Sequence, residues 1–270
     1  MVEDEQQQSW HYGLMATWWA EFNQDASGEA AYFERVIRTV GEPALDLACD
    51  AGRVLLPLLA AGLDVDGCDI SADMLARCRQ KTDEAGFDPN LYRQAMHELD
   101  LPRAYRAIYI CDSFGIGGNR AHDVDALRRC YHQLAPGGAL VFNHYLPYDD
   151  AELWNYWLPG RRDDLPSSWP EDDEPQRRTL SSGDQLDLAT RLAGFDSLAQ
   201  CRTLEMRARL WRDDRVVEEE YGTLKENFYF YQELTMLLAS AGFEDVTVTD
   251  AYSDEPPGVD QTKLMFFARK

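Results

Sequence analysis

No apolar run in the chain approaches the roughly 18–20 residues that cross a bilayer, so a membrane-spanning helix is not expected. The opening MVEDEQQQS has neither a basic nor an apolar segment, which argues against a secretory signal. Basic residues are scarce: 26 Lys and Arg stand against 48 Asp and Glu, a net charge of −22. A chain this acidic repels phosphate backbones and anionic lipid, which disfavours nucleic-acid and membrane partners. The six cysteines, at 49, 68, 78, 111, 130 and 201, include no C-x-x-C pair. They read as buried, reduced thiols of a cytoplasmic protein, ahead of a zinc site or a disulfide framework. The five histidines form no H-x3-H or H-E-x-x-H pattern, so no metal is expected.

What is present suits an ordinary globular chain. At 270 residues, 45% of them hydrophobic, it can bury one large α/β core or two smaller ones. An aromatic-rich helix is expected from Trp10 to about Ala26 and a second from Gly28 to Val40, before Gly41-Glu42-Pro43 breaks the chain. Short apolar strands then follow at 44–48, 65–70, 90–94, 107–111 and 139–145. Helices fall between them at 52–61, bent by Pro57, at 72–85 with Ser71 as N-cap, and at 123–134 before Pro136-Gly137-Gly138. This alternation predicts a parallel sheet with right-handed crossovers.

Beyond it the pattern changes. Residues 147–175 read as a helix and a Trp-, Pro- and acid-rich surface loop, with Glu171-Asp172-Asp173-Glu174 a solvated run and not a metal site. From 179 to 230 apolar and polar residues alternate at period two, as in an antiparallel meander turning near Arg212-Asp213-Asp214. A helix at 231–241 stops at Gly242, and 246–250 with 263–268 form a closing antiparallel pair.

The informative segment is ALDLACDAGRVLLPLLAAGLDVDGCDISADMLARCRQK, residues 44–81. It reads as strand, small-residue turn, helix, and a second strand ending in an acid, with Asp46 and Asp69 23 positions apart. Such a unit suits a nucleotide: small residues let the backbone approach, the helix N-terminus offers N–H groups, and the second acid takes ribose hydroxyls. That logic is shared by NAD enzymes.

At these residues the chain resembles the class I S-adenosylmethionine-dependent methyltransferases, small-molecule type. Asp46-Leu47-Ala48-Cys49-Asp50-Ala51-Gly52 fills the family's acid-plus-three-glycines motif. Asp69-Ile70-Ser71-x-x-Met74-Leu75 matches its second-strand signature, Leu134-Ala135-Pro136-Gly137-Gly138 the turn before its fifth strand, and Leu-x-x-Ala-Gly-Phe at 238–243 the element before its last hairpin. The resemblance covers roughly residues 10–150 and 225–270. It implies a Rossmann-like seven-stranded, mostly parallel sheet whose last strand pair is antiparallel, with an inserted antiparallel β meander and an N-terminal helical lid. The segments are then a lid (1–40), a cofactor-binding core (41–146), an inserted loop and β substrate cap (147–228), and a C-terminal helix and strand pair completing the core (229–270).

The resemblance implies S-adenosylmethionine as cofactor. Asp46 and the turn with Ala48, Asp50 and Gly52 would face its methionine portion. Asp69 would hold the ribose, Ile70 would pack near the adenine within the signature that includes Met74, and Met96 and His97 would flank the adenine. Asp112, Ser113 and Phe114 would lie beside the transferring methyl group. Tyr12 and Trp19 resemble lid aromatics, or are ordinary packing of an amphipathic helix. Two family glycines are replaced, by Ala48 and Asp50, and Ala95 stands where many members have an adenine-contacting Asp. Asp50 either caps the following helix, points away, or attracts the donor's amino or sulfonium group.

The expected activity is in-line methyl transfer to a small aromatic or amine-bearing molecule. The alternative is a methyltransferase fold with a weakened donor site, used for another reaction such as a cyclisation, or as a binding or scaffold protein. His144, at the end of the fifth strand, is the leading candidate base, or else a histidine hydrogen-bonded beside the sheet. Asp112 is second, as a base or partner of a substrate amine, or as a turn or cap residue. Trp154, Trp157, Trp169, Tyr229 and Tyr231 make the substrate region aromatic, which suits planar or cationic molecules. A homodimer is compatible with this reading.

Overall fold

A computed structural model describes residues 11–148, 150–161, 164–170 and 177–270. Trp10, the amino-terminal stretch before it and the acidic run at 171–174 lie outside the described residues. In chain order the elements are α1 (Gly13–Phe22), α2 (Ser27–Val40), β1 (Ala44–Leu47), α3 (Leu55–Ala60), β2 (Val65–Asp69), α4 (Ala72–Ala85), β3 (Leu91–Arg93), β4 (Tyr105–Ile110), α5 (Arg120–Gln133), β5 (Leu134–Tyr145), α6 (Ala151–Asn155), β6 (Arg178–Thr179), β7 (Gln185–Asp196), β8 (Cys201–Arg212), β9 (Arg215–Asn227), α7 (Tyr231–Ala241), β10 (Asp245–Asp250) and β11 (Lys263–Arg269). They divide into two compact units.

The larger unit comprises 25–114, 119–148 and 229–270. Its seven strands run β10-β11-β5-β4-β1-β2-β3. All neighbours are parallel except β11, which is antiparallel to both β5 and β10. The fold class expected from the motifs is borne out. Strands β1 and β2 are buried at every position, as strands covered on both faces must be. Side chains alternate across β4: Ile108 and Ile110 join one core cluster with Leu45, Leu47 and Phe142. Ala107 and Tyr109 join the other, with Phe33, Ile37, Leu55 and Leu58. Burial of each such Leu, Ile or Phe contributes about 1.5–3 kcal/mol.

Several boundaries differ from the sequence expectation for physical reasons. Phe33 and Ile37 lie one turn apart on α2 and enter the second cluster, so α2 belongs to this unit and not with the expected 1–40 lid. Helix α3 begins at Leu55, because Gly52 adopts φ +83° and cannot be helical. Pro57 then sits in the first turn, where its missing N–H costs no hydrogen bond. Ser71 caps α4 as expected, its Oγ accepting the Met74 N–H at 3.2 Å. Strand β5 starts at Leu134, paired with Tyr105, and a register shift absorbs the Pro-Gly-Gly turn before Ala139 pairs with Ala107.

The smaller unit comprises 11–24, 115–118 and the described part of 150–228. Its antiparallel sheet runs β6-β7-β8-β9. Strands β8 and β9 turn through Asp213 and Asp214, both left-handed (φ 49° and 56°), the conformation a tight two-residue hairpin wants. Helix α1 packs Leu14 and Met15 with Leu186, Met206, Ala208 and Leu224 of the sheet. Glu220 accepts the Leu14 N–H at 2.7 Å, an anion placed on a helix N-terminus.

Candidate active site

The turn after β1 alternates left-handed residues: Ala48 at φ 69°, Asp50 at 52° and Gly52 at 83°. These are the three motif positions, and the alternation is the physical reason glycine suits them. The turn is stapled to the end of β2. Ala48 and Cys49 donate to the Cys68 carbonyl at 2.8 and 3.0 Å. Asp50 donates its backbone N–H to Asp69 Oδ2 at 2.9 Å, and Ser71 donates to Oδ1 at 2.8 Å. A Cβ on Gly52 would stand 3.0 Å from Cys78 Sγ, so the glycine is kept by close packing as well as by φ.

Asp50 does not cap α3. The cap position is Val54, with no side-chain bond, and the left-handed turn separates Asp50 from the first helical residue. Instead its Oδ1 is buried with no hydrogen-bond partner among the described residues. Asp46, 2% exposed, lies below. Burial pushes its carboxyl up to about 8; Tyr109 and Arg53 pull it back, while Asp69 and Asp50 push it further. The Tyr109 hydroxyl stands against Asp46 without closing a well-formed hydrogen bond. These residues, expected together, are together.

Asp112 follows β4 in a left-handed conformation (φ 56°). Its N–H donates to Asn143 Oδ1 at 2.9 Å, and its Oδ1 accepts from Asn143 Nδ2 and from Lys263 Nζ, the latter at 2.9 Å. Arg53 reaches its Oδ2 at 3.7 Å, Glu29 at 3.1 Å and Cys111 Sγ at 3.4 Å. Lys263 Nζ also lies over the rings of Tyr145 and Tyr252, 4.6 and 4.7 Å from their centroids. Burial works against both cations, but the surrounding acids outweigh it and raise their pKa values. Glu29, Cys111 and Asp112 have ligand atoms spaced as a metal would need; the Arg53 guanidinium supplies the positive charge there.

Arg53, Asn143, Lys263 and Glu29 were not singled out from sequence. Arg53 directly follows the last motif glycine and Asn143 precedes His144, two local signals that existed. Lys263 and Glu29 carry none, because only the fold brings them to Asp112.

His144 is 6% exposed and pairs in register with Leu264. Its ring stands edge-on to Phe114 and Tyr229, at 6.3 and 5.7 Å between centroids. The Phe114 backbone accepts from the imidazole, and Nε2 has no hydrogen-bond partner among the described residues. Burial lowers the pKa to about 4. Tyr229 donates its hydroxyl to Asp123 at 2.6 Å beneath the Arg120 guanidinium, which pairs with Glu233.

The remaining expected residues scatter more. Ser113 Oγ donates to the Cys111 carbonyl at 3.0 Å. Ile70 is half-buried, and its carbonyl accepts from Arg93 at 3.2 Å. Met74 is fully buried, with its backbone spent on the Ser71 cap. Met96 packs against the first core cluster, and His97 stacks on His122 at 3.7 Å between centroids. Tyr12 and Trp19 belong to the smaller unit, beside and within α1.

Residues 44–138 match the family model described as a methyltransferase domain. The chain carries a methyltransferase domain. A Bacillus subtilis (strain 168) protein named "Putative methyltransferase YqeM" is 25% identical over 232 residues, covering 84% of this chain and 83% of that one. A structure of a S-adenosylmethionine-dependent methyltransferase from Clostridium acetobutylicum superposes with TM-score 0.71 at 16% identity, covering 91% and 92% of the two chains. The sugar N-methyltransferase KedS8 from Streptoalloteichus sp. gives 0.68 at 18% identity, covering 92% and 89%. The methyltransferase family expected from the motifs is borne out over residues 44–138, and the fold over most of the chain. S-adenosylmethionine, the donor expected from the motifs, suits this geometry: its cationic sulfonium answers a buried Asp50 oxygen that lacks a hydrogen-bond partner among the described residues. No helix among the described residues is long and apolar enough to cross a membrane.

Proposed function

We propose that the protein transfers a methyl group in line from S-adenosylmethionine to a small aromatic or amine-bearing molecule, with His144 as general base. The observation that carries this reading is the bare Nε2 of a buried, neutral imidazole at the carboxyl end of β5, the sheet edge at which α/β folds hold ligands. When bound, the donor supplies an electrophilic methyl group. Asp69 would take the ribose hydroxyls, Asp46 and the 48–52 turn the methionine end, and Met96 and His97 the adenine. Phe114 and Tyr229 would keep water from His144, which strengthens a proton transfer to Nε2.

Asp112 is already engaged by Asn143, Lys263 and Arg53. With its oxygens so occupied, its proposed role is to fix the end of β4 beside the transferring methyl group. Tyr12 and Trp19 remain proposed lid aromatics. An amine acceptor draws support from the name of KedS8, a sugar N-methyltransferase on this fold. Calorimetry with S-adenosylmethionine tests the donor site. Turnover of His144→Ala on an amino-bearing acceptor panel tests the base: activity should fall with donor affinity unchanged, and an active variant would remove His144 from the mechanism.

A further inference from the structure

Resting on that donor reading, we propose that Asp50 makes the crevice charge-selective, holding the sulfonium form of the donor in preference to the neutral thioether that remains after transfer. Methyl transfer leaves the S–CH3 electron pair on sulfur, and the positive charge passes with the methyl group to the acceptor. The two forms then differ at sulfur by one methyl group and one charge. A carboxylate beside that sulfur is the device that separates them, and glycine at this position offers none.

The placement follows from the neighbours of Asp50. Its backbone N–H is pinned to Asp69, the residue proposed for the ribose. Its charge is felt at Asp46, proposed for the methionine end. In the donor, sulfur is the atom that joins ribose to methionine, so the turn residue bonded to the one acid and felt at the other is the one placed to meet it. The Asp50 Oδ1 is buried and takes no hydrogen bond from the described residues, an unmet demand that a cation answers. Arg53, the neighbouring positive side chain, is turned to Glu29, Cys111 and Asp112. The left-handed φ of 52° at this position is one that Asp and Asn tolerate better than most residues. A carboxylate here is therefore compatible with the turn.

A buried or half-buried charge pair near 4 Å is worth enough at an effective dielectric of about 20 to shift affinity roughly tenfold or more. Titration calorimetry on the full chain reads this directly, using S-adenosylmethionine, S-adenosylhomocysteine and sinefungin, whose ammonium stands where the sulfonium does. Wild type should bind the two cationic ligands roughly tenfold or more tighter than the thioether. Asp50→Asn, isosteric and at ease in this turn, should weaken the cationic ligands and spare the thioether, bringing the ratio towards unity. Asp50→Gly should do the same. Equal wild-type affinities, or a ratio that neither variant moves, overturns the charge selectivity and leaves the donor reading standing. Uptake of none of the three ligands by wild type overturns both.

Discussion

The Asp69 carboxylate holds the backbone N–H of Asp50 at 2.9 Å, so the acid proposed for the ribose is also the staple of the motif turn. Its second oxygen holds Ser71 at 2.8 Å. Hydrogen bonds to a charged, buried acceptor contribute about 1.5–3 kcal/mol each. Asp69→Ala should therefore cost about 3–6 kcal/mol in denaturant unfolding and weaken donor binding as well, whereas Asp69→Asn, which retains an acceptor oxygen, should cost clearly less. An Ala variant within about 0.5 kcal/mol of wild type would show that the staple contributes nothing.

Ala48 holds φ 69°, which costs an L-residue on the order of 1–2 kcal/mol. Ala48→Gly trades that strain for the greater freedom of unfolded glycine and should be neutral to about 1 kcal/mol stabilising. Ala48→Val puts a β-branched side chain into the same conformation and should cost at least about 2 kcal/mol. Thermal unfolding of the pair decides it; equal melting of the two variants would mean that the turn relaxes out of the left-handed region.

Local features were legible in the sequence and tertiary ones were not. The Ser71 cap, the Asp213-Asp214 turn, the period-two meander and the β1–β2 motif each declare themselves within a few residues. Of the quartet Glu29, Arg53, Asp112 and Lys263, the sequence marks Asp112 by its place after β4 and Arg53 by its place after Gly52; Glu29 and Lys263 carry no local signal, because only the fold brings them there. Of the three readings of Asp50 the cap fails, because the left-handed turn that prevents it is hidden when Ala and Asp stand where glycines would announce it. Helix α2 was assigned to the lid because its apolar face does not say what it packs against; Phe33 and Ile37 are buried in the core of the larger unit.

Asp46 should make stability depend on pH in an unusual direction. Its folded pKa, raised by burial to about 8, stands above the ordinary 3.8. Between these values the folded chain holds a proton that the unfolded chain has released, so this group's contribution falls as pH rises through the window and is least favourable above 8. Asp46→Asn removes the dependence. The variant should gain on wild type between pH 5 and 8.5, by up to a few kcal/mol, in urea unfolding at the two pH values. A difference that stays constant with pH would place the Asp46 carboxyl in its ordinary range.

His144 titrates with the opposite sign. Burial lowers its folded pKa from 6.5 to about 4, so between those values the unfolded chain binds more protons and this group favours folding more as pH rises. In histidine-labelled protein, one imidazole should stay neutral to about pH 4 with the proton on Nδ1, the nitrogen facing the Phe114 backbone. A base already neutral at pH 6 gives turnover no His144 limb between pH 6 and 9. Its effect appears instead as the loss in His144→Ala, roughly a hundredfold or more if the proton moves in the transition state. His144→Gln separates proton transfer from positioning. An amide in the same place can accept a hydrogen bond and orient the acceptor, yet cannot take its proton. Turnover recovered by Gln would make the residue a positioning group; turnover lost alike in Ala and Gln, with donor affinity intact in both, would make it the base.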